Sequence, residues 1–481
     1  MCTPSRRLLS RTFKFASSAG AIAAVLALAG TALTQESPKK DEVFKATTAF
    51  GLNNTGLGNL PNGSTSFFSF DISWVDPALN KYFLADRSNK SIDILDLSTS
   101  PPTLKQVVNT KFQGFTGNND TSGPDGVLTA NNHTEVWVGD TGGTCFPNPN
   151  PKCGPGQVWV LNTDASVKTL PGGVTNPISV GGTSRADELC YAPEANVIMI
   201  ASPSENYVSF ISTKTYKVLS QLIFNGSKGP QGTSAIGVPL NGAGIKATNG
   251  LEQCQFSEKT GKFYQNVPEV NGPGDDTAPG AVAVIDPTTM KVETSFPVPL
   301  DACAGPQGMT IGPHNQILLG CAAPSPNGHS NLAIINQHSG AVLASIPDLG
   351  GADEVWFNDG DGHYFVPGCN AACRANPGSQ KEQLGVIDAN GFRLDQSVSI
   401  PANAGTTGRR VHSVAADAVK NQVFVPIPAI TGTFSTPSVC STATHKVGSP
   451  TDATGCIAVF TTTNDDRSRI AHERDPDDKQ E

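Results

Sequence analysis

Charge is scarce in this chain. Only 16% of its 481 residues are Asp, Glu, Lys or Arg. Proteins built from long amphipathic helices carry more Glu, Lys and Leu than this, so a helical bundle is disfavoured. A basic surplus is missing as well. Thirty-three Lys and Arg stand against 42 Asp and Glu, a formal net charge of -9. No basic stripe marks a nucleic-acid partner. The chain has no Cys-x-x-Cys-His for haem attachment and no Gly-x-Ser-x-Gly elbow at a strand-to-helix turn, which argues against a Ser-His-Asp hydrolase. Tryptophan is rare, with four in all, and follows no repeat. The longest apolar run, 19–33, is too short and too rich in Ala and Gly to span a membrane well.

Glycine and proline are plentiful, at 49 and 36 residues. With abundant Ser, Thr, Asn and Val they point to many short strands joined by turns. Length alone would suggest two or three domains, but a repeat fold overrides that prior.

Arg6, Arg7, Arg11 and Lys14 precede the apolar run, and the small residues around Ala27, Ala29 and Ala32 in its second half offer cleavage sites. This is the pattern of an export signal, expected over 1–34, and implies a secreted or periplasmic protein without a stable membrane anchor. Loss of Cys2 with that leader leaves ten of the eleven cysteines, an even number that favours disulfides outside the cytosol. Cys145 with Cys153, Cys369 with Cys373, and Cys440 with Cys456 would each close a local loop. Six Asn-x-Ser/Thr sites occur, about the number chance would give in such a composition, and identify nothing.

A strand of the form x-Val-x-Ile-Asp recurs seven times, beginning at Ser91, Gln157, Tyr207, Ala281, Asn331, Gln383 and Cys456. Upstream of each lies a hairpin with a short polar turn, such as Pro77-Ala78-Leu79-Asn80 or Asp359-Gly360-Asp361-Gly362. The latter lacks the downstream Glu of a calcium loop and is read as a plain turn. Most units end in a fourth strand, as in Lys291-Val292-Glu293-Thr294-Ser295-Phe296. Seven such units read as an all-β, seven-bladed β-propeller of four-stranded antiparallel blades over 68–463. The seventh unit has no clear fourth strand, and the segment 35–67 is expected to supply it. The polar tail 464–481 is expected to be disordered.

Units such as Gly280-Ala281-Val282-Ala283-Val284-Ile285-Asp286-Pro287-Thr288-Thr289-Met290-Lys291-Val292 resemble the repeats of YVTN/lactonase-type seven-bladed propellers. The resemblance implies the fold. Some members of that broad group act on lactones and others only bind partners, so it leaves the function open.

Two heads of the repeat begin alike, Ala186-Asp187-Glu188-Leu189-Cys190 and Ala352-Asp353-Glu354-Val355-Trp356. Taking Val127, Cys190, Cys254, Met309, Trp356 and Val414 as equivalent bulky positions, the residue two steps earlier is Asp125, Glu188, Glu252, Gln307, Glu354 and His412. The first unit departs, with Ile72 in the column and Asp71 one step before it. Inner strands line a propeller's channel, so this column should ring one mouth, on the face carrying the long loops.

Converging carboxylates repel, so they must be protonated, paired or bound to a cation. Arg185, Arg409 and Arg410 are candidate partners. Asp125, Glu188, Glu252 and Glu354 are candidate metal ligands, with calcium the best-fitting divalent cation for an all-oxygen ring. Glu188 and His412 would serve as base and proton carrier, and Arg185 or Arg410 as anion clamp. The two functions in view are a metal-assisted hydrolase or lyase of lactone type, and a non-catalytic module that binds a protein, glycan or small ligand on the looped face. A monomer taking a small molecule at the mouth is expected in either case. The bland alternative is that polar strand heads only hydrogen-bond neighbouring blades. Cys190 with Cys254 could join adjacent inner strands, and Cys303 with Cys321 could bridge one hairpin.

Overall fold

A computed structural model describes residues 43–52, 69–143, 153–324, 330–347, 349–369, 382–400, 411–429, 439–448, 450–451 and 454–462. The expected leader, the tail from 464, Arg409, Arg410, Cys145 and Cys373 lie outside the described residues.

The strands form seven sheets: five of four strands, one of five and one of six. Within each, the inner strand leads through a tight turn to the second, and the third and fourth follow outward. The inner strands are Ser73–Asp76, Val127–Ala130, Leu189–Ala192, Cys254–Ser257, Ala304–Gly312, Trp356–Asn358 and Ala415–Asp417. Each packs on the next, and the last packs on the first, so the ring closes. The molecule is a seven-bladed β-propeller. The seventh blade takes an outer strand from the start of the chain: Phe44–Gly51 runs antiparallel to Cys456–Thr462. The third blade is extended by the hairpin Lys228–Thr233 with Pro239–Ala243, the latter pairing parallel to the blade's fourth strand.

The tight turns need left-handed backbone, and asparagine supplies much of it. Asn80, Asn131, Asn196 and Asn421 all have φ between 49° and 56°. The repeating third strand is buried along most of its length because both its faces meet neighbouring blades. The core accordingly divides into seven apolar clusters, one at each junction between blades. At the ring's closure Phe50, Tyr82, Phe424 and Ile457 join the seventh blade to the first. Among the described residues no helix is long and apolar enough to cross a membrane.

Candidate functional site: a ring of polar groups at the channel mouth

The hairpin ladders fix which side chains share a level. The last ladder residues of the inner strands are Asp76, Ala130, Ala192, Ser257, Gly312, Asn358 and Asp417. Five positions earlier stand Asp71, Asp125, Asp187, Glu252, Gln307, Asp353 and His412. Every blade thus presents one polar or ionisable residue at the same level of the mouth. This register differs from the sequence alignment in three blades. Asp71, Asp187 and Asp353 occupy the column, in place of Ile72, Glu188 and Glu354. The bulky residues Cys190 and Trp356 are one step out of line with Val127 and Cys254. In a strand, one step moves a side chain to the opposite face.

One side of the ring is held by arginines. Arg87, 1% exposed, donates from Nε to Asp125 Oδ1 at 2.8 Å and from Nη2 to Asp71 Oδ2 at 2.5 Å. Arg185 reaches Asp187 at 2.8 Å and Asp71 at 3.5 Å, and lies 3.9 Å from Asp125. Burial works to raise the Asp71 carboxyl, but the Arg87 charge, the His412 contact and Arg185 outweigh it and hold the group well below its ordinary range. Burial dominates at its neighbours. Asp125 is pushed well up despite Arg87 and Arg185, and Asp187 is pushed up to about 8 despite Arg185. Two guanidinium groups thus serve three carboxyl groups, one fewer cation than acid. Asp125 Oδ2 and Asp187 Oδ1 make no hydrogen bond among the described residues.

The other side has no such ion pairs among the described residues. One carboxylate oxygen each of Glu188, Glu252 and Asp353 lie within 4.8 Å of one another. None of the three side chains has a hydrogen bond or ion pair among the described residues. Burial drives Glu188 and Glu252 well up, and the neighbouring charges of Asp187 and Asp353 add to it. Asp71, Asp353 and His412 form a further group within the same span. There, His412 Nε2 is 3.6 Å from Asp71 Oδ1, and its ring stacks on Phe70 with centroids 4.6 Å apart.

Glu354 faces away from this ring. Its Oε2 accepts from the N–H of Ser73 at 3.2 Å, the N–H of Val414 at 3.2 Å and the Ser413 hydroxyl. It joins the sixth blade to the seventh and first. Burial raises its carboxyl well above the ordinary range, against the pull of the Ser413 hydrogen bond.

Arg87, Asp71, Asp187 and Asp353 escaped the sequence alignment. Counting from the polar turns instead of from bulky residues recovers the three aspartates. Arg87 sits just past the second strand and carries no repeat signal. Gly126 shows how closely the blades approach here, since a Cβ on it would lie 2.3 Å from the Asp187 carbonyl oxygen. A surface cavity of about 590 Å³ lies elsewhere, between the third blade's extra hairpin and the fourth blade. Its lining is largely apolar, with Lys246 and Asn271, and it holds no cluster of ionisable groups.

Cys190–Cys254, Cys303–Cys321 and Cys440–Cys456 are disulfide-bonded. Cys153 is also in a disulfide, and its expected partner Cys145 lies outside the described residues.

No family model matches the chain, and no curated protein matches it. Among solved structures it is similar to a chain of the mitotic checkpoint complex, at 12% identity over 87% of this chain and 96% of that one, with a TM-score of 0.48. It is similar to U3-55K at 8% identity over 82% and 95%, TM-score 0.49. It is also similar to the RRP9 WD40 repeats at 10% identity over 87% and 100%, TM-score 0.48. These scores are too low to carry an argument, and the propeller assignment rests on the sheet topology. The resemblance to YVTN/lactonase-type propellers gains no support from them.

Proposed function

We propose that this chain is an exported binding module whose channel mouth takes a hard divalent cation on Glu188, Glu252 and Asp353, with calcium preferred. The observation that carries this is the asymmetry of the ring. Three carboxylates on one side are paired with Arg87 and Arg185, whereas three on the other converge within 4.8 Å with no ion pair among the described residues, Arg185 acting on Glu252 only at longer range. An all-oxygen donor set on separate strands suits calcium, which tolerates irregular geometry, better than magnesium. The cation would present open positions to a small oxygen-rich ligand on the looped face. Disulfides at three described sites favour an oxidising compartment.

The test is metal content and calcium titration of the mature protein, wild type and Glu252→Gln/Asp353→Asn. Stoichiometric binding that is lost in the variant is expected. A wild type that carries no metal and gives no heat with calcium would sink the proposal.

A metal-assisted hydrolase of lactone type is the second reading, favoured by the place of His412 beside Asp71 at the same mouth. In it His412 takes a proton from water while Asp71 orients the ring. Arg185 is committed to Asp187 and Asp71, which leaves it poorly placed to clamp an anion. Turnover of lactones that disappears in His412→Ala, with calcium binding retained, would favour catalysis over binding alone.

A further inference from the structure

One residue nearer the hairpin than the ring column, side chains point to the opposite face of the blade. There they meet the next blade. In the fourth blade this position is Gln253, whose Oε1 accepts from the N–H of Met309 at 2.5 Å and of Val355 at 3.4 Å. In the sixth it is Glu354, which accepts from Val414 and Ser73 as described. In the seventh it is Ser413, whose hydroxyl bonds the Ser73 hydroxyl at 2.9 Å. All three link blades by hydrogen bonds.

The first, second and fifth blades carry Ile72, Gly126 and Gly308 here, with no side chain that can make such a link, and the third blade differs from both groups. Its residue is Glu188, 4% exposed, and its carboxyl group makes no hydrogen bond among the described residues. The link to the fourth blade is instead the Cys190–Cys254 disulfide, with Cα atoms 5.8 Å apart. Strand alternation puts Cys190 on the face of Glu188, and Cys254 on the face of Glu252. The bond therefore spans the same junction as the two carboxylates, one rung deeper into the channel.

We propose that Cys190–Cys254 is the positioning element of the cation site. It takes over the cross-blade link that hydrogen bonds supply in the fourth, sixth and seventh blades, so that Glu188 is left to face Glu252 and serve as a ligand. The inference rests on the cation-binding proposal and deepens it. Two ligands on separate blades are held at fixed spacing by a covalent tie, which supports affinity as outer-shell contacts do at other metal sites.

The experiment is calcium titration by calorimetry on the full chain in three forms: wild type, Cys190→Ser/Cys254→Ser, and Cys303→Ser/Cys321→Ser. The expected result is a Kd raised about tenfold or more in the first variant, the range typical of lost outer-shell support, and unchanged in the second. An unchanged Kd in a folded Cys190→Ser/Cys254→Ser overturns the positioning role while leaving the cation site standing. A wild type that binds no calcium overturns the site itself. Should the first variant fail to fold, Glu188→Ala and Glu354→Ala are compared by denaturant midpoint. A midpoint near wild type for Glu188→Ala, with a clear drop for Glu354→Ala, supports the inference. An equal drop in both would mean that Glu188 also ties blades together, and would overturn it.

Discussion

Arg87 Nε donates to Asp125 Oδ1 at 2.8 Å across the junction of the first and second blades, and the same guanidinium holds Asp71. All three side chains are buried. Removing one partner of a buried ion pair leaves uncompensated charge, which typically costs about 3–5 kcal/mol. Arg87→Met should therefore destabilise by about that much, read as a lower midpoint in guanidinium. Arg87→Met with Asp71→Asn and Asp125→Asn should recover most of the loss. A single variant as stable as wild type would mean that the trio contributes nothing to the ring.

Glu354 gathers four donors from two other blades. A lost acceptor leaves each buried N–H at a cost of about 1–3 kcal/mol. Glu354→Ala should destabilise by a few kcal/mol on that scale. Glu354→Gln should cost far less, because the amide oxygen still accepts and burial already disfavours the charge of the native carboxyl. Equal losses in the two variants would point to volume, not hydrogen bonding.

Ring closure by the chain's early strand gives a third expectation. Phe50 is fully buried between the seventh and first blades, against Tyr82 and Phe424. Truncating such a side chain costs about 3–5 kcal/mol. Phe50→Ala should lower the midpoint by that amount, and an effect no larger than that of an exposed site such as Val419→Ala would show that the closure is dispensable.

How much of this was legible depends on which residues repeat. Strands such as Ser91–Asp96 and Gly280–Asp286 recur with a shared pattern because every blade must cover two neighbours. The turns at 77–80 and 359–362 stand out because only certain residues accept their backbone. The ring was harder. Its side chains are set by distance from those turns, but Cys190 and Trp356 offered a false anchor one step away. Cys190 serves a different purpose, the disulfide, and Trp356 meets Trp74 edge-on across the central ring. Arg87 could not be placed at all, since its partners come from two different strand heads.

Stability should fall as pH rises from 5 to 8.5, the reverse of what salt-bridged carboxylates give. Three buried carboxyl groups stand outside the ring column. Burial pushes Asp140 up to about 7, although the Gln113 N–H and the Trp159 indole N–H both donate to it. Burial also pushes Asp86 up to about 6, against hydrogen bonds from Asn89, and its neighbour Asp93 still higher. In the unfolded chain such groups ionise near 3.8. Between that value and the folded value the native state holds protons that the unfolded state has lost. Their contribution is therefore complete below about pH 4 and is lost as pH rises through 6 to 7. Each tenfold difference in proton affinity between the folded and unfolded chain is worth about 1.4 kcal/mol, so the loss should reach a few kcal/mol. Asp71, held low by Arg87, acts in the opposite sense and is felt only in strong acid. Metal-free protein should thus resist guanidinium better at pH 5 than at pH 8.5. A midpoint that is flat or rises over that range would mean these carboxyls are ionised in the fold, with water or a cation reaching groups that lie fully inside it.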